Sequence, residues 1–141
     1  MSVEIRPVVT RRDRREFIEL PYRLHATSPQ WIPPLRIERR LFLNPRFNAF
    51  FKHGEAQLFL AWRDGRVVGR ISAHLDRHFY EFHDNAWGMF GFFEVEEDAE
   101  AAQALLDAAA AWNTAPTCER PDSPWVMSAV VQSPALIAAA A

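Results

Sequence analysis

The sequence is poor in cysteine and lacks long apolar runs, and each shortage excludes a class of protein. A single cysteine, Cys118, excludes an internal disulfide and a cysteine-based metal cage. No run approaches the roughly 20 apolar residues of a membrane span, so no membrane partner is indicated. The first fifteen residues lack the apolar core of a signal peptide. We therefore expect a cytoplasmic protein in a reducing compartment.

The length of 141 residues suits one globular domain, and the 49% hydrophobic composition is ordinary for one. The net charge of −2 hides an excess of arginine near the N-terminus, where residues 1–46 hold ten arginines against five acids. A solvated helix face is the favoured interpretation over an anionic partner. The arginines at positions 11, 12, 14 and 15 lack interleaved aromatics, so no nucleic-acid partner is indicated.

Residues 56–76 predict the central hairpin of the fold. Asp64-Gly65 is a strong signal for a two-residue turn, because both residues tolerate the positive φ that a type I′ turn requires. In that register Trp62 faces Val67. The register also predicts Leu60 opposite Gly69 and Leu58 opposite Ile71 on the same face, with Phe59, Ala61, Val68 and Arg70 on the other. Apolar residues on both faces place this hairpin inside a sheet.

The remaining pattern predicts strands and helices on either side of this hairpin. A first strand covers residues 3–9, and Thr10 with Asp13 forms a capping box for a helix over 11–20 that Pro21 ends or kinks. A second helix covers 35–43, a loop 48–55, a connector 77–85 and a central strand 86–95. Asp98 caps a third helix that ends at about residue 112, and the predicted inward stripe of this helix is Ala101, Leu105, Ala109 and Trp112. Residues 113–141 predict an irregular or disordered tail, with at most a weak strand over 125–131.

Several of these segments resemble one known family. EIRPV, RREFIELPYRL, WIPPL, AQLFLAWRDGRVVGRI and GMFGFFE resemble the N-terminal part of long bacterial proteins of the GNAT N-acetyltransferase superfamily, over residues 3–112. The resemblance implies an α/β fold: a GNAT-like half-domain with a mixed, mostly antiparallel sheet and flanking helices. It also implies transfer of an acetyl group from acetyl-CoA to a small amine.

The resemblance also implies where a site would lie. In the family the pantetheine arm of the cofactor pairs with the fourth strand, which here would involve the backbone of Phe92, Phe93, Glu94 and Val95. Glu94 would then be a candidate catalytic base that deprotonates the amine. The alternative for Glu94 is an exposed carboxylate at a strand end. Glu55, just before the hairpin, has a weaker claim to the same role.

The sequence departs from the family pattern at the phosphate-binding loop. The family holds the pyrophosphate on a glycine-rich loop and a helix N-terminus, but EVEEDAEAAQ has no glycine or arginine there. Its acidic residues would stabilise the helix start and repel a pyrophosphate. The chain is also too short for the full fold. We therefore divide it into a GNAT-like part, residues 1–112, and a tail, 113–141, that a truncation or a frameshift would explain.

Two function hypotheses remain open from the sequence. One is an acetyltransferase-superfamily protein that transfers an acetyl group from acetyl-CoA to an unidentified amine, with inactivity of the chain as given left open. The other is a non-catalytic GNAT-like module for packing or partner binding. In either case the fourth strand would have an unpaired edge that favours self-association. The histidines at positions 25, 53, 74, 78 and 83 form no metal pattern, so packing or capping roles are expected and no metal site is predicted. Cys118 is expected to be an ordinary thiol.

Overall fold

The computed structural model describes residues 2–52, 54–76, 87–114 and 126–129. Within them, the strands are β1 Glu4–Pro7, β2 Gly54–Arg63, β3 Arg66–Asp76, β4 Trp87–Val95 and β5 Val126–Ala129. The helices are α1 Arg11–Leu24, α2 Arg36–Phe42 and α3 Ala99–Thr114, and a 3₁₀ turn covers Ala49–Lys52. The sheet order is β1-β2-β3-β4-β5, antiparallel up to β4, with β5 parallel to β4. The predicted mixed, mostly antiparallel sheet with flanking helices is confirmed.

The sheet is covered on both faces, which we call the α1 face and the α3 face. On the α1 face, Phe17 and Leu20 of α1 pack against Leu60 and Phe92 of the sheet. On the α3 face the predicted inward stripe of α3 packs as expected: Ala101, Leu105, Ala109 and Trp112. Two-sided burial explains why the central strands are apolar throughout.

The Asp64-Gly65 turn has the predicted backbone conformation, but the ladder beyond it shifts. Asp64 and Gly65 have φ of 54° and 75°, and Trp62 pairs with Val67 as expected. Between Ala61 and Trp62 the register shifts, so that Ala61 pairs with Gly69 and Val68 is the extra residue of a β-bulge. A bulge cannot be read from the turn alone, because the turn sets the register only up to the first irregularity.

The bulge makes two of the predicted cross-strand pairs wrong and moves a charge to the other face. Leu60 pairs with Arg70, and Leu58 pairs with Ser72 instead of Ile71. Ile71 therefore belongs to the α3 face. Arg70 lies on the α1 face, where its guanidinium contacts Phe17. Gly69 fits the bulge because a Cβ there would lie 2.7 Å from Leu105 Cδ1 of α3.

A second irregularity interrupts β4 at Phe92. Arg70 pairs with Glu94 while Ser72 pairs with Gly91, so β4 has an extra residue there, and Phe92 has φ of 51°. A positive φ is uncommon for an aromatic residue. A regular strand over 86–95 would place Phe90 and Phe92 on one face and Phe93 on the other. Instead, Phe90 packs with Phe93 on the α3 face, while Phe92 turns to the α1 face.

Helix α1 begins as predicted but does not end at Leu20. The Thr10–Asp13 capping box is present in both directions. Of the two outcomes predicted at Pro21, an end of the helix or a kink, the end is wrong, because the helix continues to Leu24. Proline at position 21 offers no N–H to the carbonyl of Phe17, four residues earlier. That carbonyl instead accepts a hydrogen bond from Arg70 Nη1 at 2.7 Å, so tertiary structure compensates the interruption.

Helix α2 and the C-terminal elements differ from expectation at their ends. Leu35 and Leu43 are the caps of α2 instead of its first and last residues. Helix α3 extends to Thr114, and the strand predicted as weak is found as β5. It pairs with β4 from Trp87 to Phe90, so the expectation of a wholly unpaired β4 edge is wrong over that stretch.

Some predictions lie outside the described residues. This group contains the whole predicted connector, residues 77–85, and the tail apart from Asn113, Thr114 and β5. It also contains Cys118 and three of the histidines. Across the ranges that the structure describes, none of the helices has the length and apolar character needed to cross a membrane.

Candidate functional site

The candidate site is built around Glu94, one residue before the end of β4. The carboxylate is buried, with the residue 6% exposed, so the alternative of an exposed strand-end carboxylate is wrong. Its Oε2 lies 2.9 Å from Nε2 of His25. A carboxylate buried in this way requires polar or cationic partners, because its desolvation is costly. The position therefore differs from that of an ordinary solvated acid.

His25 reaches Glu94 because α1 continues through Pro21. It is the C-cap residue of α1, and its backbone N–H donates to the Pro21 carbonyl at 2.9 Å. The imidazole stacks on Trp31, with ring centroids 5.2 Å apart and planes 29° from parallel. A helix ending at Leu20 would have left this ring without its support. A packing or capping role was predicted for His25, and it does cap α1, but no local spacing connects it to Glu94, 69 positions away.

Arg70 supplies a cation beside Glu94. The two residues are partners across β3 and β4, and Arg70 is 8% exposed. Burial lowers the pKa of Arg70 to about 10 from its ordinary 12.5, while the charge of Glu94 acts in the opposite direction. Arg70 therefore remains cationic at neutral pH and compensates the buried carboxylate.

The guanidinium of Arg70 is held more by rings than by hydrogen bonds. Its central carbon lies 4.9 Å from the centre of the Phe17 ring and 5.3 Å from that of Phe92. Such cation–π contacts suit a planar guanidinium in an apolar environment. Its Nε has no hydrogen-bond partner among the residues that the structure describes. The sequence does contain one signal for this residue, since an arginine inside the apolar run VVGRIS is rarely buried without a specific partner.

A cavity of about 290 Å³ lies on the same face of the sheet. Its volume is close to the lower end of the range of small-molecule pockets. The lining is mostly apolar: Val8, Phe42, Leu43, Pro45, Phe50, Phe51, Ala56, Leu58 and Phe92, with Arg14, Asn48, Gln57, Ser72 and His74 as the polar members. Phe92 belongs both to this lining and to the environment of Arg70, so the cavity and the Glu94 cluster share one wall.

His74 is a largely but not fully buried titratable group in this cavity. Its ring lies edge-on to Phe50 at 6.0 Å, and Ser72 Oγ is 3.4 Å from Nδ1. Burial lowers the pKa of His74 below the ordinary value of 6.5, and Asp76 opposes that effect. At neutral pH the cavity therefore contains an uncharged imidazole.

We expect the buried His74 to make the fold less stable as the pH falls. Since the folded pKa is below 6.5, the unfolded chain binds more protons near that pH, and the free energy of unfolding decreases as pH falls through 6.5. The measurement is the free energy of unfolding in urea for the wild type and His74→Gln at several pH values. The range of about pH 5.5 to 7.5 is chosen because it brackets the ordinary pKa of histidine. The variant should show a shallower pH dependence. Equal slopes in the two proteins would contradict it.

The start of α3 does not fit a pyrophosphate. Asp98 caps the helix by accepting from the Ala101 N–H at 3.0 Å. The same carboxylate pairs with Arg63 at 2.7 Å, and Arg63 also contacts Glu100 at 3.0 Å. The helix N-terminus is thus engaged by its own carboxylates, and the nearby arginine is committed to them. An incoming phosphate would meet negative charge instead of free N–H groups.

The other predicted site residues are placed as follows. The backbone of Phe92, Phe93, Glu94 and Val95 lies beyond the stretch of β4 that pairs with β5. Glu55 pairs with Leu75 near the far end of the hairpin from the turn. The structure therefore brings Glu94 together with His25 and Arg70, and does not bring Glu55 to that cluster. No group of three or more metal-binding side chains occurs within the described part of the chain.

Sequence comparison finds two longer relatives. No family model matches the sequence. The chain is 43% identical over 112 residues to a protein named bacterial ceramide synthase from Caulobacter vibrioides, which covers 79% of this chain and 29% of that protein. It is 35% identical over 108 residues to protein YghO of Escherichia coli K12, covering 77% and 27%. The match thus spans less than a third of the length of these curated relatives.

Structural comparison identifies the fold. A tandem GNAT protein from the clavulanic acid biosynthesis pathway matches with a TM-score of 0.67 and 19% identity, over 99% of this chain and 43% of that one. An aminoglycoside acetyltransferase from an uncultured soil sample matches at 0.59 and 13%, over 98% and 82%. A ribosomal-protein-alanine N-acetyltransferase from Brucella melitensis matches at 0.58 and 18%, over 95% and 83%. The chain has the GNAT acetyltransferase fold, as the resemblance implied.

Proposed function

We propose that this chain is the amine-binding part of an N-acyltransferase that forms an amide bond. The observation that carries the proposal is the buried Glu94 carboxylate, bonded to His25 and compensated by Arg70. An ammonium substrate needs a carboxylate partner, and the chemistry then needs the ammonium to lose a proton before its nitrogen can attack a carbonyl. Glu94 would accept that proton, so its assignment as catalytic base rests on this proposal. His25 would act as a positioning residue through its contact with Glu94.

The acceptor is proposed to carry an apolar chain. Ceramides are amides of a long-chain amine, and the relative with 43% identity is named a ceramide synthase. The cavity beside Phe92 has the apolar lining that such a chain requires. The expected substrate class thus rests on the name of that one relative and on the apolar lining of the cavity.

The acyl donor is proposed to be an acyl-CoA such as acetyl-CoA, as the fold implies. The pyrophosphate does not fit at the carboxylate-capped start of α3, so we expect this chain alone to bind the donor weakly. We propose that the start of α3 does not hold the donor phosphates and that a further protein segment would be needed to hold them.

Calorimetric titration separates the alternatives. We expect n-octylamine to bind the 141-residue chain more tightly than ethylamine, because only the former can fill the cavity, and acetyl-CoA to give no heat up to millimolar concentration. Micromolar binding of acetyl-CoA would show that this chain holds the donor by itself, and would contradict the proposal that a further segment is needed for the donor phosphates. If neither octylamine nor acetyl-CoA binds, the second candidate is favoured, which is a non-catalytic GNAT-like module. The acidic start of α3 also supports that candidate.

A further inference from the structure

The exposed apolar side chains of this protein are concentrated in one segment. Among the residues that the structure describes, seven large apolar side chains are exposed, and six of them lie between positions 32 and 47. We call this group the 32–47 surface: Ile32, Leu35, Ile37, Leu41, Phe42 and Phe47. Isolated exposed apolar residues are ordinary, but a clustered set marks an interaction surface.

Helix α2 presents two of its apolar side chains, Ile37 and Leu41, away from the sheet. Arg39 and Phe42 point toward the sheet, with the guanidinium and the ring each within 6 Å of the Phe92 ring centre. Ile37 and Leu41 are one turn apart on the opposite side and are both exposed. A helix that only covered its own sheet would be polar on that side. The outward face of α2 is therefore built to contact something else.

The surface is strongly basic as well as apolar. Residues 32–47 contain four arginines, at positions 36, 39, 40 and 46, against the single acid Glu38. Arg36 pairs with Glu19 at 2.7 Å, whereas Arg40 and Arg46 have no ion pair within the described ranges. Arg40 lies on the outward face beside Ile37 and Leu41. A second copy of this chain would bring like charges together, so charge complementarity points to an anionic partner.

The segment is held firmly in place. Tyr22 donates a hydrogen bond from its hydroxyl to the Pro34 carbonyl, and its ring meets Trp31 edge-on at 5.3 Å. Arg36 stacks over the same tyrosine ring at 4.0 Å. The apolar side chains are thus displayed by contacts with α1. Through Phe42, the surface also continues into the lining of the cavity.

We propose that the 32–47 surface docks on the interface of an anionic lipid bilayer. Apolar side chains interleaved with arginines match a membrane surface, where the apolar groups enter the headgroup boundary and the cations meet anionic lipids. Peripheral binding at a bilayer surface does not require a membrane-spanning helix. The proposal is independent of the amine chemistry at Glu94.

Vesicle co-sedimentation of the 141-residue chain tests it. We expect binding to vesicles of phosphatidylcholine and phosphatidylglycerol in equal parts, much weaker binding to phosphatidylcholine alone, and release by salt. The double variant Ile37→Ser, Leu41→Ser should lower the partition coefficient at least about tenfold. Arg40→Gln and Arg46→Gln should each lower it by about fivefold on the anionic vesicles only. Val9→Ser, at the exposed apolar residue outside the surface, is the matched control and should bind like the wild type.

The result can also go against the proposal. Failure to bind anionic vesicles, or equal loss in Val9→Ser and the double variant, would overturn it. A wild-type dimer in analytical ultracentrifugation that becomes monomeric in the double variant, without vesicle binding, would assign the surface to a protein contact instead. Octylamine titration of the double variant separates this test from the proposed function, since amine binding should be retained whether or not vesicles bind.

Discussion

Replacing Arg70 with methionine is expected to lower the free energy of unfolding by about 3–5 kcal/mol. The substitution removes the cation paired with Glu94 across the sheet and leaves the carboxylate with less compensation for its burial. It also removes the donor to the Phe17 carbonyl, which Pro21 cannot satisfy. Methionine preserves most of the volume, so the loss reports charge and hydrogen bonding more than packing.

Urea unfolding measures this effect, and the chain offers a matched control. Arg66→Met removes an arginine from the same strand, but the Arg66–Glu96 pair is on the surface and should contribute less than about 1 kcal/mol. Adding Glu94→Gln to the Arg70→Met variant should recover part of the lost stability, because the buried charge is then absent. Equal costs for the two arginine variants, or strict additivity of Arg70→Met and Glu94→Gln, would show that the pair is not coupled.

Glu94→Gln is expected to weaken the binding of octylamine by about ten- to 150-fold, which corresponds to about 1.5–3 kcal/mol for a hydrogen bond to a charged group. Glutamine keeps the shape of the side chain but cannot neutralise an ammonium or accept its proton. The cavity lining is unchanged, so the apolar contribution to binding should persist.

Glu97→Gln is the matched control for this prediction. Glu97 lies just beyond β4 and is exposed, so its neutralisation removes the same formal charge without touching the buried cluster. Calorimetry should find wild-type affinity in that variant. If Glu94→Gln and Glu97→Gln bind octylamine equally well, the acceptor does not contact Glu94, and the assignment of this residue as the base is wrong.

Local features of the fold could be predicted because a few adjacent residues determine them. The Asp64-Gly65 turn, the Thr10–Asp13 capping box and the inward stripe of α3 each depend on side chains within one or two turns of each other. The fold class came from the resemblance of several such segments to one superfamily. The acidic start of α3 could also be predicted from the sequence, because Asp98 accepts a hydrogen bond from the first turn of its own helix.

The candidate site could be predicted only in part. Glu94 was a candidate because the resemblance implies a base near the end of the fourth strand, but its burial and its partners were not predicted. His25 reaches it because α1 continues through Pro21, and Arg70 faces it because bulges in β3 and β4 shift the register. Adjacent residues give no strong signal for the continuation of α1 through Pro21 or for the bulges in β3 and β4, because both depend on contacts between distant segments.

The sequence by itself determined the hairpin at Asp64-Gly65, since positive φ at two adjacent positions is a property of those residues and of the turn between them. Only the tertiary structure decided that the hairpin carries an arginine to the α1 face. That outcome depends on Val68 being accommodated as a bulge and on the Phe17 carbonyl lacking its helical donor. Local turn geometry is encoded by neighbours, whereas the compensation of a buried charge requires groups that only folding brings together.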